Sequence, residues 1–175
     1  SQYPAVSHTF ILREVLSLRQ RGFNLRVASV NRPDRPAQKM TLAERQETQD
    51  AFYIKSAGMK NLLVSHLTTA LRHPVAYVKT LFTALHMGGT DLKRCLWCFF
   101  YFVEAVVLGH WMRRQGLKHV HVHFATPAAT VGLLAARLFG LRFSLTVHGP
   151  DEFYDVPGYH LSEKEGWSKM KPWYD

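Results

Sequence analysis

The segment KHVHVHFATPAATVGLLAARLFGLRFSLTVH, residues 118–148, restricts the possible folds more than any other part of the chain. Two runs rich in β-branched and aromatic residues flank a stretch of small and apolar residues with helical character. Thr126 followed by Pro127 supplies an N-cap residue and a proline at the first helical position, and Gly140 supplies a stop. In the second run Phe143, Leu145 and Val147 alternate with Ser144, Thr146 and His148, the period of a strand with one apolar face. Strand, helix, strand in so short a span is a βαβ unit. It predicts two parallel strands joined by a right-handed crossover, within an α/β fold.

Strand alternation also places His119, His121 and His123 on one face and Val120, Val122 and Phe124 on the other. Geometry alone permits a two-histidine metal clasp there. No third ligand is spaced to complete a zinc site, so no metal is expected. In parallel sheets ligands gather beyond the carboxyl ends of the strands, where loops and helix N-termini converge. His123 and His148 fall at such ends and are the functional candidates. His119 and His121, inside the strand, are expected to be core or edge histidines with hydrogen-bonded rings. The helix starting near Pro127 aims its free N–H groups and positive dipole end at the same edge, which suits an anion.

Elsewhere the pattern is mostly helical. Residues 9–21 carry Ile11, Val15 and Leu18 on one face before Gly22. FNLRVASV reads as a short strand, and NRPDRPAQ as a polar loop broken by prolines. Residues 42–86 are helical with breaks at Gly58 and at His73-Pro74, and 92–115 form one long apolar helix. That helix approaches membrane-span length, but Glu104 lies near its middle, and a buried or membrane-lying helix fits better. Cys95 and Cys98 stand alone in an apolar context and read as packing residues.

A chain of 175 residues that is 47% hydrophobic has a single-domain length and enough apolar surface for a core. Its formal charge of +9 favours an anionic partner. A nucleic-acid-binding module is the weaker reading, because no recognised motif is visible and the basic residues are spread over helices. The opening SQYPAVSHTF has neither a basic n-region nor an apolar h-region, so no signal peptide is expected and residue 1 does not read as a native start.

Three stretches, YPAVSHTFILREVLSLRQRG, HVHVHFATPAATVGLLAARLFG and FSLTVHGPDEFYDVP, together resemble the amino-terminal half of the family 4-like retaining glycosyltransferases. These are enzymes of the GT-B fold, of the exopolysaccharide and colanic-acid type of biosynthesis. The resemblance implies a Rossmann-like open parallel sheet with helices on both faces over residues 1–164, followed by a divergent tail, 165–175. It also implies that the first strand and the carboxy-terminal, donor-binding domain are absent. On that basis the chain alone is not expected to catalyse transfer, and a catalytically inactive remnant is the competing reading.

The resemblance further implies that Ser7, His8 and Thr9 face the cleft, although relatives commonly carry Glu where His8 stands. It assigns His123 and Thr126 to the cleft lining, His148 to the donor sugar as the catalytic candidate, and Gly149 and Asp151 to the loop that follows. Asp151 serves equally as a helix N-cap. A nucleotide sugar is then a substrate held by the missing domain, a glycan or lipid-linked molecule is the acceptor, and no cofactor is needed. Protein positioning and electrostatic stabilisation of the departing diphosphate carry such a reaction.

Over residues 61–114, apolar positions including Leu62, Leu63, Leu67, Leu71, Val75, Val78, Leu81 and Phe82 have Lys60, Arg72, Lys79, Lys93, Arg94, Arg113 and Arg114 nearby. Two expectations compete there. Either the apolar side covers the sheet, or it meets an anionic membrane surface as a peripheral, cytoplasmic-face attachment.

Overall fold

The apolar repeat at residues 9–21 forms α1 (Thr9–Gln20), entered through a 3-10 turn, Val6–His8, and burying Val15. Residues 2–33 and 35–148 are described by the computed structural model, in which the chain divides into two compact units after Gly58. The first unit continues with β1 (Ala28–Ser29), α2 (Leu42–Asp50) and β2 (Phe52–Tyr53). The two short strands pair in parallel, Ala28 opposite Phe52 and Ser29 opposite Tyr53.

FNLRVASV was expected to be a strand throughout, but only its end is one. The Phe23 N–H donates to the Leu18 carbonyl at 3.2 Å, and the Leu25 carbonyl accepts from Arg19 Nε at 3.1 Å. These backbone groups close the end of α1 instead of entering a ladder.

α2 starts on a capping box. The Thr41 side chain accepts from the Glu44 N–H, and the Glu44 carboxylate accepts from the Thr41 N–H at 2.8 Å. One turn on, the Glu47 carboxyl group is buried, at 1% exposed. It is held by an ion pair with Arg19 and by the Tyr3 hydroxyl, which donates to it at 3.0 Å. Tyr53 in turn donates to the Tyr3 carbonyl at 3.0 Å. Burial, and then the Glu47 charge, push the Tyr3 hydroxyl far above the usual tyrosine range. This network ties the first residues, α1, α2 and β2 together around one buried carboxylate.

The second unit comprises α3 (Met59–Arg72), α4 (Pro74–Met87), α5 (Leu92–Arg114), β3 (His119–His123), α6 (Pro127–Phe139) and β4 (Arg142–Thr146). β3 and β4 pair in parallel over five residues, from His119 opposite Arg142 to His123 opposite Thr146. The βαβ reading of residues 118–148 is thus observed, and the described residues are α/β, mostly helical, with two small parallel sheets.

Val120, Val122, Phe143 and Leu145 pack against Leu133 and Ala136 of α6. The helix lies close enough that a Cβ on Gly132 would fall 2.8 Å from Val122 Cγ2. α5 packs on the other side of α6, burying Phe102, Ala105, Val106 and Met112, and α3 and α4 pack on α5. α5 comes close to α6 at Gly109, where a Cβ would stand 2.1 Å from Phe139 Cδ2.

Between α3, α4 and α5 sits His66. Its Nδ1 lies 2.9 Å from the Tyr77 hydroxyl and its Nε2 lies 3.3 Å from the Val103 carbonyl. A carbonyl only accepts, so Nε2 carries the proton and Tyr77 donates to Nδ1. Burial lowers the His66 pKa, with the Val103 hydrogen bond opposing in part, and burial raises that of Tyr77.

Candidate functional site

The face of β3 and β4 turned away from α6 is polar, as strand alternation requires, and histidines dominate it. Ser144 Oγ lies 2.7 Å from His119 Nε2 and 2.7 Å from His121 Nδ1, and Thr146 Oγ1 lies 3.2 Å from His121 Nε2. The ring nitrogens of His119 and His121 are thus hydrogen-bonded, as expected for mid-strand positions. Both side chains are exposed, so they line a surface and do not belong to the core. Burial, then the neighbouring His121 and Arg142 charges, lower the His119 pKa and favour its neutral ring.

At the carboxyl edge the two principal candidates meet. His123 Nδ1 and His148 Nε2 are 2.9 Å apart, and the rings stack with centroids 5.2 Å apart and planes 20° apart. One nitrogen must donate and the other accept, so the pair holds complementary tautomers when neutral.

Phe124 completes the edge and was not singled out in the sequence. Its backbone is left-handed at φ +69°, unusual for a bulky residue, and its N–H donates to the Thr146 carbonyl at 2.7 Å. The turn brings its ring to 5.0 Å from that of His148. Sequence carries no signal for this, because only the conformation marks the residue.

Thr126 occupies the N-cap position of α6 in extended conformation, but its side chain makes no capping bond. Its hydroxyl oxygen is shielded from solvent and has no hydrogen-bond partner among the described residues. Of the remaining candidates, Ser7 and His8 lie in the 3-10 turn and Thr9 opens α1, all in the first unit. The His8 ring packs edge-on against Phe10 at 6.2 Å. Gly149 and Asp151 lie outside the described residues.

His121 and His123 bring ligand nitrogens within 4.8 Å of each other, the clasp that alternate strand positions permit. Two imidazoles do not by themselves form the four-ligand set of a structural zinc site. A second concavity, in the first unit, is lined by Arg32, Arg35 and Arg45 among others. Each guanidinium group has at least one partner: Arg35 pairs with Glu44, although its buried Nε has none among the described residues, Arg32 donates to Ser56 Oγ at 3.1 Å, and Arg45 donates to the Met40 carbonyl at 3.2 Å. They hold a loop to α2 and the 3-10 turn that follows β2. No family model, curated protein or solved structure matches the chain.

Proposed function

We propose that the chain is the acceptor-side half of a retaining glycosyltransferase of GT-B architecture. It would act with a donor-binding domain to move a sugar from a nucleotide-sugar donor to a glycan or lipid-linked acceptor. The observation that carries the reading is the contact between His123 and His148 at the carboxyl edge of two parallel strands joined through α6. That edge is where parallel α/β folds gather their ligands, and the three sequence stretches that resemble the family include both histidines. In this reading β3 and β4 belong to a Rossmann-like open sheet with helices on both faces.

The roles follow from chemistry. His148 orients the donor sugar through its ring, and His123 fixes the tautomer of His148 while lining the acceptor side. The start of α6 offers backbone N–H groups to an anionic group such as a diphosphate, with Thr126 at its N-cap position. The family resemblance also assigns Ser7, His8 and Thr9 of the first unit to acceptor binding, and Gly149 and Asp151 to the loop after His148. No step requires a metal. Without a donor domain the chain binds acceptor but does not turn over.

Imidazole NMR tests this on the full chain. Titration with a polyprenyl-diphosphate-linked sugar should shift the His123 and His148 ring signals in a saturable way while leaving His66 unmoved. His148→Ala should weaken binding with little loss of stability, because an exposed side chain carries little packing. Shifts spread evenly over all histidines, or none, would leave the inactive-remnant reading in place.

A further inference from the structure

The helices α3 and α4 are inside out for a protein surrounded by water. Along α3 the residues spaced four apart, Met59, Leu63, Leu67 and Leu71, form one stripe that is 60–73% exposed. The face of α3 packed within the unit buries Ser65 and Thr69 instead. α4 repeats the arrangement, with Val75, Val78 and Phe82 outside and Thr80 and Ala84 inside. The first turns of α5 add Leu92, Leu96, Trp97, Phe99 and Phe100 to the exposed set, whereas its later turns are buried from Ala105 to Gly109. Single exposed apolar residues are ordinary, but aligned stripes on three consecutive helices are not. The expectation that this apolar side covers the sheet is therefore overturned. Around the His66, Tyr77 and Phe102 cluster, the small buried residues Ser65, Thr69, Thr80 and Ala84 line the inner faces while large apolar ones stand outside, a distribution that suits helices whose surroundings are lipid.

Charge selects the occupant. Between residues 59 and 100 stand Lys60, Arg72, Lys79, Lys93 and Arg94, all exposed, against Asp91 as the single carboxylate. Four of the five stand next in sequence to an exposed apolar residue: Lys60 beside Met59, Arg72 beside Leu71, Lys79 beside Val78 and Lys93 beside Leu92. Lys93, Arg94 and Trp97 share the start of α5, the combination found at headgroup level. A second copy of the chain would set this cationic rim against itself, whereas an anionic lipid surface complements it.

Length selects the mode. α3 and α4, with 14 residues each, are about 21 Å long, short of the roughly 30 Å hydrocarbon core. α5 is long and apolar enough to cross, with a mean hydropathy of 1.5, but its second half is core packed on α6. We infer that α3, α4 and the start of α5 form a monotopic surface that seats in one leaflet of an anionic membrane. The inference stands on this surface alone and is independent of the glycosyltransferase reading.

Co-sedimentation of the full chain with vesicles tests it. Vesicles of phosphatidylglycerol mixed with phosphatidylcholine should carry the protein into the pellet, and pure phosphatidylcholine should do so far less, with added salt weakening the binding. Lys93→Gln with Arg94→Gln should lower the partition coefficient about fivefold per charge removed. Leu67→Glu with Phe82→Glu should abolish pelleting, while thermal unfolding followed by circular dichroism stays near the parent value, since both positions are exposed. Equal pelleting of the parent and the Leu67→Glu/Phe82→Glu variant would overturn the inference. So would protein left in the supernatant by both vesicle types, or a concentration-dependent dimer that Leu67→Glu dissolves and that shows no vesicle binding.

Discussion

Replacing Gly109 by alanine tests how closely α5 and α6 are fitted, and two opposed effects set its outcome. A helix-interior glycine costs about 0.8–1.0 kcal/mol relative to alanine, so on backbone grounds Gly109→Ala should stabilise. The added methyl group would, however, stand 2.1, 2.2 and 2.9 Å from three ring carbons of Phe139, where ordinary carbon contacts are about 3.5–4.0 Å. Overpacking of this kind costs about 1–3 kcal/mol. Phe139 is only half-buried and can turn partly aside, so the net expectation is a loss of about 1 kcal/mol. Phe139→Ala removes the obstacle. In that background Gly109→Ala should change sign and stabilise by about 1 kcal/mol, the propensity gain alone. Urea unfolding of the parent, both single variants and the double variant, read by circular dichroism, closes the cycle. If Gly109→Ala stabilises as much with Phe139 present as without it, the close crossing of α5 on α6 is refuted.

Two further stability predictions follow from buried polar groups. Glu47→Ala should cost about 3–5 kcal/mol in chemical denaturation, because it strands the Arg19 guanidinium and the Tyr3 hydroxyl, whereas removing the exposed Asp50 carboxylate in the same helix should cost under about 0.5 kcal/mol. His66, His110 and His119 all have pKa values lowered by burial from an ordinary 6.5, so at acid pH the unfolded chain binds more protons than the folded one. Their contribution is therefore complete above pH 6.5 and is lost as the pH falls below it, towards each lowered value. Replacing His66 by Gln should flatten the decline of melting temperature between about pH 6.5 and 5, and an unchanged slope would remove His66 from the account.

Residues 118–148 were legible because several local signals agree there: alternation, a proline at the first helical position, and a glycine stop. Pairing, register and the shared face of His119, His121 and His123 all follow from those signals. The proximity of His123 to His148 was legible only as a shared strand edge. The 2.9 Å contact depends on the left-handed turn at Phe124, which no residue type announces. In the first unit the reading weakened for a different reason. A strand is defined by its neighbour, and residues 23–27 spend their backbone groups on the end of α1 and on the start of β2, so β propensity alone overestimated β1. The Phe52–Tyr53 strand, two residues long, lies below any periodicity a sequence can display. The buried Glu47 was invisible too, since its partners lie 28 and 44 residues away.

The helices α3 and α4 expose a deeper limit. Periodicity reports that a helix has an apolar stripe, and habit then assigns the stripe to the interior, because water is assumed to be what lies outside. Leu63, Leu67 and Leu71 satisfy that pattern as well as any core helix, and their spacing carries no sign of direction. The deciding information lies in the opposite stripe. Ser65 and Thr69 are small enough to let α3 close on its neighbours, and Ser65 satisfies its hydroxyl within its own helix by donating to the Asn61 carbonyl at 2.7 Å. A buried hydroxyl satisfied in this way needs nothing from water, and a leucine stripe left outside gains nothing from it. The Thr69 hydroxyl on the same stripe is also buried but has no hydrogen-bond partner among the described residues, so the inner stripe is close-packed and only partly satisfied. The direction of a stripe has to be argued from the size and hydrogen bonding of the residues opposite it as much as from the stripe itself.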